Sequence, residues 1–177
     1  MFTKELQRLK EEKKIALVYT NVDNTSKFSA GYVAGINEKI FVLASVTPVG
    51  EYDGFLLRQT DSIYMLSTGG LYVDKLLKFV DLNKTKFDFC FNGGDLIQQI
   101  LAFAQKNHAI VSLELMGSGY DDCIGFVESF DEEVCRIQEI NEFGEPDEVS
   151  IVKLSCITTM SCDDSDDRPL KLLCEAR

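Results

Sequence analysis

The side chains able to do chemistry are few and scattered. One histidine, His108, accompanies six cysteines, Cys90, Cys123, Cys135, Cys156, Cys162 and Cys174. A nucleophilic pair would need a cysteine within hydrogen-bond reach of His108, and no spacing arranges that. His108 follows a helical stretch, where a cation would face the helix dipole. No cysteine pair has zinc-knuckle spacing and a single histidine excludes a two-histidine site, so neither metal nor cofactor is expected. The thiols read as reduced, partly buried small hydrophobes. The run Asp163-Asp164-Ser165-Asp166-Asp167 offers carboxylates to a hard cation but lacks calcium-loop spacing, and a solvated loop is expected. Phe91-Asn92-Gly93-Gly94-Asp95 lacks the glycine fingerprint and lysine of a phosphate loop, and Asp95 reads as a helix cap. Gly117-Ser118-Gly119 lacks the flanks of a nucleophile elbow and reads as a loop.

One acidic pattern occurs twice. Gly50-Glu51-Tyr52-Asp53 returns as Gly144-Glu145-Pro146-Asp147. Turn chemistry accounts for it through a glycine at positive φ and an aspartate bonding nearby amides. Its functional reading is that Glu51, Asp53, Glu145 and Asp147 meet basic groups of a protein partner.

The elements carrying these loops also repeat. An ungapped offset of 94 aligns residues 15–79 with 109–173 and gives 9 identities, among them Gly31/Gly125 and Leu76/Leu170. The apolar register is kept, Tyr32 meeting Phe126 and Leu57 meeting Ile151. Carried backward, the offset places the helical stripe Phe2, Leu6, Leu9 on Leu96, Ile100, Phe103. Leu96–Ala104 is apolar around more than half its circumference, which suggests a helix covered on two sides and shared between the units. Strands are expected at 15–19, 29–36, 40–46, 55–59 and 62–66, then at 109–115, 123–130, 133–140, 148–153 and 156–161. Tyr72, Leu76, Phe79 and Val80 predict a connecting helix, and residues 87–91 an extended segment. The organisation expected is 1–80, a helix and small barrel; 81–94, a connection; and 95–177, a helix and a second, acidic barrel.

Charge separates the halves. The chain has 18 basic and 29 acidic residues among 177. Residues 1–80 carry +1, 81–107 are neutral and 108–177 carry −12. The second half would repel polyanions and attract basic partners. No stretch approaches the roughly 20 apolar residues that cross a bilayer, and the charged start MFTKELQRLKEEKK lacks a secretory apolar run. A soluble, cytoplasmic protein with no membrane partner is expected.

A helix followed by five short strands, with Gly31 in strand two, Asn37 before strand three and a tight turn at Arg58-Gln59-Thr60-Asp61, resembles the Sm-like small barrel. Gly125, Asp131 and Lys153-Leu154-Ser155 match in the second copy. The chain is similar to a tandem duplication of this barrel, as in uncharacterised bacterial proteins with the spacing Gly-Glu-x-Asp-Gly, here residues 50–54. The fold class so implied is α+β: two tandem Sm-like (Src-homology-3-like) five-stranded barrels, each preceded by a helix and docked through a shared helix. The resemblance also implies single-stranded RNA binding at Asn37, Lys39 and Arg58. The sequence departs from that pattern, since Phe41 and Cys135 stand where a second asparagine is expected, Gln59 follows Arg58, and Val152 replaces that arginine. The function expected is a non-enzymatic protein-interaction or scaffolding module, binding a partner or another copy; the alternatives are a divergent single-stranded RNA binder and, more weakly, an unrecognised enzyme.

Overall fold

The computed structural model describes residues 2–87 and 90–176. Two compact units, Met1–Gly93 and Gly94–Arg177, follow one another. The first contains α1 (Phe2–Glu11), β1 (Ile15–Tyr19), β2 (Ser29–Ile36), β3 (Ile40–Val46), β4 (Tyr52–Gln59), a 3₁₀ turn, β5 (Met65–Ser67) and α2 (Gly70–Asn83). The second contains α3 (Leu96–Asn107), β6 (Ile110–Leu115), β7 (Cys123–Phe130), β8 (Val134–Ile140), β9 (Pro146–Lys153), a 3₁₀ turn, β10 (Ile157–Cys162) and α4 (Asp167–Glu175).

The fold is mainly β, α+β overall, and its ten antiparallel strands are open rather than closed. Strand order is β5-β1-β2-β3-β4 in the first unit and β10-β6-β7-β8-β9 in the second. In neither unit do the two end strands pair with each other among the described residues. This overturns the expectation of two closed five-stranded Sm-like barrels docked through a shared helix. Each unit instead carries two helices of its own, one before and one after its strands.

Helix placement supplies the physical reason. A barrel buries one face of its sheet inside itself, whereas here both faces of the first unit are covered. Leu6 and Leu9 of α1 pack with Ala16, Val18, Val33, Phe41 and Leu43. On the other face Val73 and Leu76 of α2 pack with Ile15, Leu17, Ala30 and Val46. Successive residues Ile15–Val18 are therefore all buried. A run apolar on both faces calls for two covering layers, and it has no need of closure.

The repeat is built into the backbone, with one correction. Strands β2–β4 and β7–β9 correspond at 94, including the register shifts at Val33/Gly35 and Val127/Ser129 and at Ala44/Val46 and Gln138/Ile140. The helix and first strand correspond at 95: Ile15 pairs Tyr32 and Ile110 pairs Phe126, while Lys13 and His108 each follow the leading helix in the left-handed conformation. Phe2, Leu6 and Leu9 thus match Ile97, Leu101 and Ala104, not Leu96, Ile100 and Phe103.

Asp95 caps α3 as expected, its Oδ1 accepting from the amides of Ile97 at 2.8 Å and Gln98 at 3.2 Å. The connecting helix is α2. Asp88 and Phe89, within the segment expected to be extended, lie outside the described residues. The acidic run at 163–167 is not wholly a solvated loop: Asp167 begins α4 and is buried. No helix among the described residues is long and apolar enough to cross a membrane.

Candidate functional site

The two copies of Gly-Glu-x-Asp form the same hairpin loop. Thr47 N–H donates to Glu51 O at 2.9 Å, and Asn141 N–H to Glu145 O at 2.9 Å. Gly50 N–H returns to Thr47 O at 2.9 Å and Gly144 N–H to Asn141 O at 3.0 Å. Both glycines have left-handed φ, 79° and 72°. A Cβ on Gly50 would lie 2.5 Å from Val80 N, and one on Gly144 2.8 Å from Leu173 Cβ. The glycine is thus the place where the helix after each sheet meets a strand hairpin.

The acidic members then differ. Glu51 is exposed ahead of β4, and Asp53 is half-buried within it. Glu145 is half-buried, with Oε2 accepting from Asn141 Nδ2 at 3.1 Å. Asp147 is exposed on β9 beside exposed Glu148.

The residues implied for RNA occupy other roles. Asn37 Oδ1 accepts from the amides of Lys39 at 2.9 Å and Ile40 at 2.8 Å, shaping the β2–β3 turn. Asp131 does the same with Glu133 and Val134 at 2.7 and 2.9 Å, and those amides hold its carboxyl below the usual range. Lys39 is exposed; its carbonyl accepts from Thr60 N–H at 2.8 Å, tying this turn to the 3₁₀ turn. Arg58, opposite Phe41, donates through Nη1 to Thr20 Oγ1 beside a cavity of about 170 Å³ that Lys27 also lines. Asn37 and Lys39 therefore share a turn, while the Arg58 guanidinium is engaged with Thr20.

The remaining chemical groups separate similarly. His108 lies flat on Phe126, ring centroids 4.2 Å apart and planes 4° apart. All six cysteines are free. Burial pushes the Cys123 thiol up to about 12 and Cys135 to about 11, which disfavours the nucleophilic thiolate there. Cys90 is exposed and donates to Asn92 Oδ1 at 3.1 Å, beside a 670 Å³ cavity of the first unit lined in part by Leu9, Tyr32, Val80 and Phe87. Ser118 donates to Asp122 Oδ2 at 2.6 Å, consistent with its loop role. Among the described residues, no three His, Cys, Asp or Glu side chains are grouped to hold a metal ion.

Two features escaped sequence reasoning. Ser112 Oγ donates to the Asp167 carboxyl oxygens at 3.2 and 3.3 Å, and both residues are buried. They occupy the structural positions of Leu17 and Val73 in the first unit, a packed apolar pair. Burial, with Asp164, Asp121 and Asp166 nearby, pushes Asp167 up to about 7. The second feature lies on β9. Val149 and Ile151 are 38% and 66% exposed, whereas their counterparts Phe55 and Leu57 are 1% and 0% exposed. The fixed offset located those pairs in the sequence, but apolar type alone did not show which member is covered. Comparison of the chain with family models, curated proteins and solved structures returns no match.

Proposed function

We propose that the chain is a non-enzymatic protein-interaction module of the cytoplasm, using the acidic surface of its second unit to hold a protein partner. The observation carrying this reading is the contrast between corresponding strands: β4 has Phe55 and Leu57 buried, whereas β9 exposes Val149 and Ile151 beside Asp147 and Glu148. An exposed apolar pair preceded by two carboxylates suits a partner bringing basic groups. The charge of −12 over residues 108–177 favours such an encounter at long range. The single-stranded RNA reading has less support, since the Asn37 side chain serves its turn and Arg58 is engaged with Thr20.

The test is the full chain carrying Glu145→Lys and Asp147→Lys as bait in lysate of the source cells. Recovery of the complex formed by the unaltered chain is expected to fall at least about fivefold, an effect of the size removed charge pairs have at interfaces. Undiminished recovery would remove this surface from the function.

A further inference from the structure

We infer that the first unit holds a phosphate group in the polar cavity beyond the end of β1, where Arg58 and Lys27 meet Thr20, Asn21 and Ser29. This site is separate from the acidic surface of the second unit and does not depend on it. The cavity measures about 170 Å³ and, among the described residues, no carboxylate lines it. At about 30 Å³ per water it has room for about five waters, enough for a tetrahedral oxyanion and less than the roughly 300 Å³ at which sites for whole small molecules begin.

Four segments bring donors to it. Thr20 follows the last residue of β1, the β1–β2 loop delivers Asn21 and Lys27, β2 begins with Ser29, and β4 delivers Arg58 opposite fully buried Phe41. The hydrogen bonds already made set the polarity of these groups. Thr20 Oγ1 accepts from Arg58 Nη1, so its own proton remains to donate. Asn21 Oδ1 accepts from the amides of Asp23 at 3.0 Å and Asn24 at 2.9 Å, which leaves Nδ2 to donate. The exposed Lys27 ammonium takes part in no ion pair among the described residues. A guanidinium and an ammonium joined by neutral donors select an anion, and donors arriving from four segments suit the four oxygens of a phosphate better than the two of a carboxylate. The second unit supplies the contrast. On the corresponding strands Leu115 stands for Thr20, Asp121 for Lys27, Cys123 for Ser29 and Val152 for Arg58. The shared backbone is built there without either cation and with a carboxylate added, so the fold itself does not call for the polar set of the first unit.

The test is titration of the full, isotope-labelled chain with sodium phosphate, ionic strength being held constant with sodium chloride and NMR amide shifts followed at residues 20–29 and at Arg58. Saturable one-to-one shifts centred on those residues are expected. Lys27→Ala should weaken binding at least about tenfold, the size of one hydrogen bond to a charged group. Arg58→Lys, which keeps the charge and loses the fork, should weaken it at least about fivefold. Lys27 is exposed, where substitution leaves folding nearly intact, and an unchanged spectrum over the rest of the first unit checks this for both variants. Acetate is expected to bind at least about fivefold more weakly than phosphate. Phosphoserine binding as tightly as inorganic phosphate would assign the terminal phosphoryl group of a larger ligand, and weaker binding would assign the free ion. Absence of saturable shifts at millimolar phosphate, affinity indifferent to Lys27→Ala, or acetate equal to phosphate would overturn the inference. So would tighter binding of oligouridylate through the same residues, since the ligand would then be a single strand.

Discussion

Gly50→Ala is expected to release α2 from the first unit and lower its stability by about 3–4 kcal/mol, a large part of the 5–15 kcal/mol typical of a domain. Two costs combine. The left-handed φ of 79° costs an L-residue roughly 1–2 kcal/mol. The added Cβ would also lie 2.5 Å from Val80 N and 2.6 Å from Phe79 C, backbone atoms that can yield only by moving the helix, at roughly 1–3 kcal/mol. Gly93→Ala separates the two, because Gly93, in the same unit, also has a positive φ, 65°, but nothing within 4 Å of its would-be Cβ. It should cost only the smaller backbone part. Tyrosine emission during urea unfolding suits the measurement, since five of the six tyrosines, at 19, 32, 52, 64 and 72, lie in the first unit. Equal losses at Gly50 and Gly93 would contradict the packing role of the repeated loop.

The second large effect concerns pH. Asp167 is folded with its pKa raised to about 7 from an ordinary value near 3.8, because burial beside Asp164, Asp121 and Asp166 opposes its charge; the Ser112 hydroxyl works the other way. Arg168 and Lys171 line the same small pocket and leave the shift upward. A raised carboxyl favours the neutral fold, so its stabilisation is complete below the unfolded value and is lost as pH rises through about 7. Between pH 5 and pH 8 the second unit should lose about 2–3 kcal/mol from this group. Asp167→Asn keeps an acceptor for Ser112 and removes the charge. It should therefore remove this loss and leave the variant more stable than the natural chain at pH 8. Urea unfolding followed through the NMR methyl signal of buried Met160 reports on this unit. A natural chain no less stable at pH 8 than at pH 5, or an asparagine variant less stable at pH 8, would contradict the account.

Much of this architecture was legible because short strands between turn residues leave local signals. Strands 29–36 and 40–46 have the expected bounds, and Asp95 caps α3 as its type requires. What failed was nonlocal. All nine identities at offset 94 begin at Gly31 or later, because the segment between the paired residues Ile110 and Phe126 is one residue shorter than that between Ile15 and Tyr32 and shifts everything before it. At 95 the identities Leu6/Leu101 and Ile15/Ile110 emerge. Openness was hidden because an apolar run such as Ile15–Val18 reports burial and not what covers it. Helix α4 was hidden because its first residues, Asp167 and Arg168, read as surface, although Asp167 is only 8% exposed. At the candidate site the acidic loops were visible as a repeated pattern. The exposure of Val149 and Ile151 was not, since Phe55 and Leu57 at the same repeat positions are equally apolar and fully packed.

Hydrogen–deuterium exchange of the full chain, alone and with its recovered partner, tests the central claim most directly. The proposed surface predicts that partner binding slows exchange in residues 145–153 of the second unit and leaves the first unit's turns at 37–40 and 58–62 unchanged. Protection confined to those first-unit turns, with 145–153 unaltered, would contradict it.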